Sequence, residues 1–483
     1  MEAHNRLFVG GTWQDPTTDG VIDVVSPRTG EVFATAAAAG PADVDRAVAA
    51  ARAAHDTGDW PRLPAAERVD AVRRLAAAYS ERRREMAALI TAEMGSPISF
   101  SKFAQATLPM VLMTTFADIA EGYPWESTRP GAYGQDILVR KEPTGVVAAI
   151  VPWNMPQFLI AGKLAPALLA GCSIVIKPAA ETPLDALLLA EVIDSIGLPP
   201  GVVSILPGGR EVGEALVAHP GVDKVAFTGS TAAGRLVAAQ CGRDLKRVSL
   251  ELGGKSAAIV LDDADPAAAA EGVKVAGLMN SGQACVAQTR VLVPAARQDE
   301  FVDALAAMVE ALVVGDPEDK ATEIGPLVTR RQQERVRGYI DGGVAEGARL
   351  VVGGSGRPDG LDHGWYIRPT LFADVANTMA IAREEIFGPV LSVVPYQDTD
   401  DAIRLANESD YGLSGSVWTA DAGRGLEVAR RIRTGSFGIN EPYSMDPAAP
   451  FGGMKASGIG RELGSEGLDG YLEAKAISGA PST

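Results

Sequence analysis

The chain has 483 residues, 47% of them apolar and 22% charged, which is typical of a soluble globular protein and excludes a collagen, a coiled coil or a disordered tail. A chain of this length is expected to form roughly two to four domains. The net charge of −17, without a long run of Lys or Arg, argues against nucleic acid as a partner. The amino terminus has no basic segment followed by an apolar one, so we expect a cytoplasmic protein.

The apolar stretch from Phe158 to Ile176 is the best candidate for a membrane span, but a lysine, a proline and a glycine interrupt it. A buried helix followed by a buried strand explains it better, so no membrane partner is expected. The three cysteines, Cys172, Cys241 and Cys285, are too few and too scattered for a disulfide framework or a zinc site, and no metal is expected. A functional cysteine here would act as a free thiol.

The spacing of apolar residues predicts three helices near the amino end, at Pro41 to about His55, Pro64 to about Met94 and about Ser99 to Ile119. A polar, glycine-rich stretch from Glu121 to Gln135 breaks this pattern before a strand-like segment, Asp136 to Arg140. We expect that stretch to project from its domain.

From Gly145 onward, short apolar strands alternate with helical segments. Strands that are apolar on both faces and joined by helices predict a parallel sheet covered on both sides, an architecture typical of nucleotide-binding domains. A second alternating series from Ala257 to about Val394 predicts a second α/β domain. The carboxyl end from Pro450 is glycine-rich and then amphipathic, which predicts a loop and a terminal tail.

In the segment KVAFTGSTAAGR, a strand ends at Thr228 and a helix can start near Thr231. Glycines and the free N–H groups of a helix amino terminus would accept a diphosphate at Ser230, although a plain tight turn explains the same spacing.

Three further side chains could carry chemistry. A lone cysteine such as Cys285 is most often a small buried hydrophobe. Glu251, however, follows an apolar strand beside two glycines and a lysine, where a carboxylate can serve as a base. Asn154 follows another apolar strand, where its amide can donate to a developing oxyanion or simply form a turn.

Seven segments, in this order, closely resemble motifs of the aldehyde dehydrogenase superfamily. They are VPWN (Val151 to Asn154), IKP (Ile176 to Pro178), FTGS (Phe227 to Ser230), ELGGK (Glu251 to Lys255), GQAC (Gly282 to Cys285), EEIFGPV (Glu384 to Val390) and PFGGMKASGIGRELG (Pro450 to Gly464). The resemblance covers nearly the whole chain. It implies an NAD(P)-dependent, non-acylating enzyme that oxidises an aldehyde to the carboxylic acid.

The resemblance also implies an α/β fold with a Rossmann-type cofactor domain, an α/β catalytic domain and a small bridging β segment. The implied bounds are 1–120 and 141–252 for the dinucleotide-binding domain, 253–466 for the catalytic domain, and 121–140 with 467–483 for the bridging, or oligomerisation, segment. Such bridging strands pair between subunits in the family, so a homodimer or homotetramer is expected.

By this resemblance Cys285 is the nucleophile that forms a thiohemiacetal and then a thioester with the substrate. The side chain of Asn154 and the N–H of Cys285 would hold the oxyanion, and Glu251 would activate water to release the product. Lys163 and Glu462 match family positions of a proton relay to that base, although a salt bridge explains the pair equally well.

The resemblance implies a set of cofactor contacts on both sides of the cleft. These are Trp153, Lys177, Ala180, Gly229, Ser230, Leu252, Gly253, Glu385 and Phe387. Many NAD-preferring members carry Glu at the position of Ala180, where this chain cannot repel the 2′-phosphate of NADP. We therefore expect NAD as the working cofactor, with NADP also accepted.

The side chains near the implied substrate entrance favour an apolar small-molecule aldehyde. They are Met110, Met113, Met155, Phe158, Tyr443 and Met445.

Three alternatives are an acylating enzyme that uses coenzyme A, a thioester hydrolase without a redox step, and an inactive binding homologue of the same fold. Retention of Glu251 argues against the first, and retention of Asn154 and Cys285 argues against the last. The match at Lys177 and Ser230 favours a bound dinucleotide over a simple hydrolase.

Overall fold

The computed structural model describes residues 2–442 and 445–479. Its larger sheet has eight strands, of which the five central ones run parallel, as the sequence predicts. In spatial order the strands are Gly458–Ile459, Arg247–Glu251, Lys224–Thr228, Val146–Ile150, Ser173–Lys177, Val203–Ile205, Leu7–Val9 and Thr12–Gln14. The first of these lies within the range predicted for the catalytic domain, although it pairs with the cofactor-side sheet.

Helices cover both faces of this sheet because its strands are apolar on both sides. In the strand Val146–Ile150, Val147 and Ala149 contact one apolar cluster while Val146 and Ala148 contact another. The helices of the first cluster are Ala65–Met94, Leu108–Glu121, Pro156–Ala170 and Leu184–Ile196, and those of the second are Pro41–Asp56, Arg210–Ala218 and Thr231–Asp244.

The predicted helix from Ser99 to Ile119 is present but interrupted. The chain forms a short turn of α-helix at Ile98–Phe100, a π-helical turn at Ser101–Gln105 and then the helix Leu108–Glu121. Pro109 lies in the first turn of that last helix and has no N–H, so it cannot donate to the carbonyl four residues earlier.

The run Ile98–Glu121 is the one helical segment among the described residues that is long and apolar enough to match a membrane span, with a mean hydropathy of 1.2. Half of its apolar window is buried inside the fold, so it is weak evidence for a span. The stretch Phe158 to Ile176 forms a buried helix, Pro156–Ala170, and a buried strand, Ser173–Lys177, which confirms that prediction.

The second large sheet has seven strands, and each adjacent pair but one is parallel. The order is Arg349–Val352, Thr370–Ala373, Val390–Tyr396, Arg290–Pro294, Ala257–Val260, Gly415–Trp418 and Gly438–Ile439. Pro266–Leu278 and Gln298–Glu310 cover one face, and Arg330–Ala345, Ala380–Arg383, Thr399–Asn407 and Ala422–Ala429 cover the other. The predicted second α/β unit is present.

A separate antiparallel sheet joins Glu126–Pro130, Asp136–Pro143 and Leu472–Ser478. The residue pattern predicts only a loop and tail after Pro450, but the chain there forms the helix Gly464–Asp469 and the strand of this sheet. The strand is stabilised by a partner more than three hundred residues away, which no local pattern reveals.

The remaining elements are short. They are the strands Glu2–His4, Val21–Val25 and Val32–Ala37, the pair Tyr411–Gly412 with Met454–Lys455, and the turns Trp60–Arg62, Met279–Gly282 and Ala295–Arg297.

Candidate active site

A cleft of about 470 Å³ lies at the carboxyl ends of the central strands, where parallel α/β sheets bind their ligands. Its lining, which defines the central cleft, is Pro152, Trp153, Asn154, Thr228, Gly229, Ser230, Glu251, Leu252, Gly253, Cys285, Arg331, Gln332, Arg335, Glu385 and Phe387. Ten of the fourteen predicted site residues line this cleft. Lys163 and Glu462 lie behind its wall, and Lys177 and Ala180 do not line it.

Cys285 is held at the wall of the central cleft by a tight left-handed turn. Asn280, Ser281 and Gly282 all have positive φ, at 51°, 58° and 73°. A Cβ on Gly282 would lie 2.2 Å from the carbonyl oxygen of Gly388, so only glycine fits there. Burial raises the pKa of the Cys285 thiol, which keeps it protonated at rest.

Asn154 faces the same loop. Its Nδ2 donates to the carbonyl oxygen of Gln283 at 3.0 Å, two residues before Cys285. Its own carbonyl oxygen accepts from Gln105 Nε2 at 2.8 Å and from Asn280 Nδ2 at 2.9 Å. These bonds fix the Asn154 amide against the loop that carries Cys285, and both residues line the central cleft.

Glu251 is 3% exposed. Among the described residues, neither of its carboxyl oxygens has a hydrogen-bond partner. A Cβ on Gly452 would lie 2.8 Å from Glu251 Oε1, so a glycine at that position leaves room for the carboxyl group. Burial raises the pKa of Glu251 well above its ordinary value, the Glu462 carboxylate adds to the rise, and Lys163 opposes it. A carboxylate in this environment is a stronger base than one in water.

Lys163 lies behind Glu251 in a fully buried ion pair. Its Nζ donates to Glu462 Oε1 and to Thr228 Oγ1, both at 2.7 Å. Thr228 and Glu251 end neighbouring parallel strands and are direct register partners. The ion pair that the sequence analysis left open is therefore present, while the proton relay remains a prediction.

Glu385 and Phe387 lie on the opposite wall. The N–H of Gly254 donates to Glu385 Oε1 at 3.0 Å, and burial raises the pKa of Glu385 to about 7. Phe387 has a left-handed φ of 63°, and its ring meets that of Trp153 edge to face at 5.4 Å. The two rings, the Glu385 carboxyl group and Cys285 all line the central cleft.

Ser230 is the N-cap of the helix Thr231–Asp244, and its Oγ accepts from the Ala233 N–H at 3.3 Å. A Cβ on Gly234 would lie 2.4 Å from Leu252 Cδ2, so glycine allows this helix to approach the neighbouring segment. A helix amino terminus exposed at a cleft attracts phosphate groups.

Lys177 ends the strand next to this site, and its Nζ donates to the carbonyl oxygen of Pro178 at 2.9 Å. Burial lowers the pKa of Lys177. Ala180 has no carboxylate. The adjacent Glu181 lies 3.6 Å from Arg331, which lines the cleft.

Pro152 and Thr228 line the cleft and stand in two of the quoted motifs, but they were not predicted as site residues. Three more cleft residues were not predicted either: Arg331, Gln332 and Arg335. They lie on the helix Arg330–Ala345, whose polar face is expected to contact solvent. Gln332 Nε2 donates to the Phe387 carbonyl oxygen at 2.8 Å and Arg335 donates to that of Glu385 at 2.6 Å. These two backbone contacts and the Arg331–Glu181 ion pair join segments that are distant in the chain, and they place the three residues at the cleft.

Of the predicted entrance residues, Met113, Met155 and Phe158 are buried, while Met110 and Met445 are partly buried. All five belong to or pack against the same apolar cluster as Cys285. Tyr443 lies outside the described residues. Within the described ranges, 2–442 and 445–479, no group of three or more His, Cys, Asp or Glu side chains could hold a metal ion.

The thiol of Cys285, the side-chain amide of Asn154 and the buried carboxyl group of Glu251 thus line one cleft. Over residues 13–477 the chain matches the family model described as "Aldehyde dehydrogenase family". It is 47% identical over 474 residues to the geranial dehydrogenase of Castellaniella defragrans, with 98% of each chain covered. The chain therefore belongs to the aldehyde dehydrogenase family, which confirms the predicted family and enzyme class.

Two solved structures are similar along their whole length. The aldehyde dehydrogenase of Mycobacterium tuberculosis, complexed with NAD+, has 51% identity and a TM-score of 0.96, over 99% of this chain and 98% of that one. A mutant of aldehyde dehydrogenase C from Pseudomonas syringae, complexed with NAD+ and octanal, has 43% identity and a TM-score of 0.96, with the same coverage. These likenesses confirm the predicted fold class and agree with the predicted nicotinamide cofactor.

Proposed function

We propose that this chain oxidises apolar aldehydes to carboxylic acids, with NAD+ as hydride acceptor, through a thioester on Cys285. One observation carries the proposal: Asn154, Glu251 and Cys285 line one cleft together with Glu385 and the Ser230 helix terminus. A hydrolase without a redox step has no use for those last two features.

The residues present fit a dinucleotide. Ser230 and the first turn of its helix would take the diphosphate, and Glu385 would accept hydrogen bonds from ribose hydroxyls. A Cβ on Gly253 would lie 2.5 Å from Glu385 Oε2, so the glycine keeps a narrow slot open beside that carboxyl group. NAD+ bound in the two structural relatives supports the same assignment. When bound, it takes up the hydride.

Cys285 begins the reaction by attacking the aldehyde carbon. Because its pKa is raised, the thiol must lose its proton as it reacts, and water in the open cleft accepts that proton. The carbonyl oxygen then becomes an oxyanion held by Asn154 Nδ2 and the N–H of Cys285. Both donors are neutral, so they stabilise the oxyanion without trapping it.

Loss of the hydride converts the thiohemiacetal to a thioester. Glu251 then removes a proton from a water molecule, which attacks the thioester carbon and releases the carboxylate while the thiolate leaves. The buried Lys163 and Glu462 pair gives the proton a route away from the base. A second support for this proton route is the pKa of Glu251, which Glu462 raises and Lys163 lowers.

An apolar substrate is supported by the packing around Cys285. Met110 and Met445 are partly buried against its apolar cluster. Octanal in the Pseudomonas syringae complex and geranial in the name of the Castellaniella enzyme are apolar aldehydes.

The proposal is tested by the absorbance of reduced nicotinamide with a panel of aldehydes that differ in chain length, aromaticity and charge. We expect octanal and geranial to be oxidised and a charged semialdehyde such as succinic semialdehyde to be a poor substrate. Hydrolysis of a thioester or nitrophenyl ester with no reduction of NAD+ by any aldehyde would instead support the hydrolase alternative.

A further inference from the structure

A second cluster of unpartnered polar groups lies away from the central cleft, at the amino ends of the strands Ala257–Val260 and Gly415–Trp418. Lys255 Nζ, Ser256 Oγ and Ser414 Oγ are all buried, and none has a hydrogen-bond partner among the described residues. The three residues are only 2%, 5% and 1% exposed. Leaving such groups unpaired is destabilising, most of all for a charged group.

All three residues line one small cavity, the Lys255 cavity, which leaves about 10 Å³ for the centre of a water-sized particle. The register explains why they meet. Ala257 pairs with Gly415 in the parallel ladder, so Ser256 and Ser414 stand side by side just before their strands begin. The space is sufficient for one water molecule or one small ion.

The charge around this cavity is positive. Arg290, which also lines it, is 2% exposed. Among the described residues it donates only to uncharged oxygens, those of Lys255, Leu405 and Ala406 and the Asn377 side chain. Lys255 forms no ion pair with any carboxylate in the described parts of the chain. A buried guanidinium beside a buried amine, with no carboxylate in contact, excludes a cation as the occupant.

Burial and the charge of Arg290 lower the pKa of Lys255 to about 7. The carboxylates of Glu384 and Glu385 oppose this shift through their charge. Neither is within ion-pair distance. A water molecule would satisfy the hydroxyl groups but leave the positive charge uncompensated, whereas an anion would do both.

We propose that the Lys255 cavity binds a small monovalent anion of the halide type, chloride under physiological conditions, through Lys255 Nζ and the hydroxyl groups of Ser256 and Ser414. The ion would tie the two strands together. It would also fix the loop that presents the Gly254 N–H to Glu385.

The direct test is anomalous diffraction from crystals of the full chain soaked in sodium bromide. The expected result is a bromide peak inside the cavity, within hydrogen-bond distance of Lys255 Nζ. A water molecule there, with no bromide at high occupancy after the soak, would overturn the proposal.

Thermal unfolding provides a second test in solution, with sodium chloride replaced by sodium isethionate at constant ionic strength. Binding to the folded state alone predicts a saturable rise of the melting temperature with chloride, and Ser414→Ala should abolish most of that rise. Ser392→Ala is the matched control, since Ser392 is a buried serine of the same sheet that does not line the cavity and should keep the rise. An equal chloride dependence in both variants would contradict the site.

Discussion

Lys163 Nζ lies 2.7 Å from Glu462 Oε1, although 299 positions separate the two residues in the chain. Both are buried, and both influence the charge state of Glu251 from behind the central cleft. The pair also joins the helix Pro156–Ala170 to the glycine-rich carboxyl segment. The charge state of Glu251 therefore depends on a contact between this helix and the carboxyl-terminal segment.

The first prediction concerns the pH dependence of turnover. Because Glu462 raises the pKa of Glu251 and Lys163 lowers it, Glu462→Gln should move the acidic limb of the kcat profile to lower pH, and Lys163→Met should move it to higher pH. The measurement is steady-state kcat from about pH 5 to 9. Glu466→Gln, an exposed carboxyl nearby, is the control and should leave the profile in place. If both variants lose activity without moving the acidic limb, the ion pair of Lys163 and Glu462 has only a structural role.

A second prediction concerns the cofactor wall. A Cβ on Gly253 would lie 2.5 Å from Glu385 Oε2, so Gly253→Ala should displace that carboxyl group and weaken NAD+ binding by at least about tenfold, roughly 1.4 kcal/mol. Gly242→Ala is the control, because a Cβ there has nothing within 4 Å. Calorimetric titration with NAD+ is the measurement. Equal dissociation constants in the two variants would remove Glu385 from the cofactor site.

Most regular elements could be predicted from the sequence because their apolar patterns are local. The interruption before Pro109 could not be predicted from apolar spacing, which continues through a residue whose missing N–H breaks the helical hydrogen bonding. The position of Arg331 at the cleft and the contact of Lys163 with Glu462 could not be predicted from the residues alone. Both depend on the packing of distant segments, which spacing along the chain does not encode.

Cofactor selectivity gives a third prediction. With alanine at position 180, NAD+ should be preferred over NADP+ by less than about a thousandfold in kcat/KM, roughly 4 kcal/mol. Ala180→Glu should raise that preference, because a carboxylate there accepts from ribose hydroxyls and repels a 2′-phosphate. Glu181 lies 3.6 Å from Arg331, and Glu181→Gln tests whether that carboxylate discriminates instead. If the unmodified enzyme prefers NAD+ by more than this and Glu181→Gln weakens the preference, then Glu181 is the residue that discriminates against NADP+.

The fourth prediction concerns assembly. The separate antiparallel sheet has two edge strands, Glu126–Pro130 and Leu472–Ser478, and most of their residues are exposed. Unpaired strand edges of this kind pair readily with another copy. Light scattering should therefore give a dimer or tetramer of the 50.2 kDa chain at micromolar concentration. A monomer throughout that range would contradict the assignment of these strands to an interface.

The most direct test of the proposed mechanism is to trap the thioester. Glu251→Gln removes the base for hydrolysis, so NAD+ and octanal should give a rapid burst of reduced cofactor followed by a very slow phase. Intact-mass and peptide analysis of the quenched protein should then locate, on Cys285, an adduct with the mass of the aldehyde less two hydrogens. Cys285→Ala, which should keep its fold and its NAD+ affinity, should show neither burst nor adduct. A burst without an adduct on Cys285, or undiminished turnover in Glu251→Gln, would contradict the mechanism.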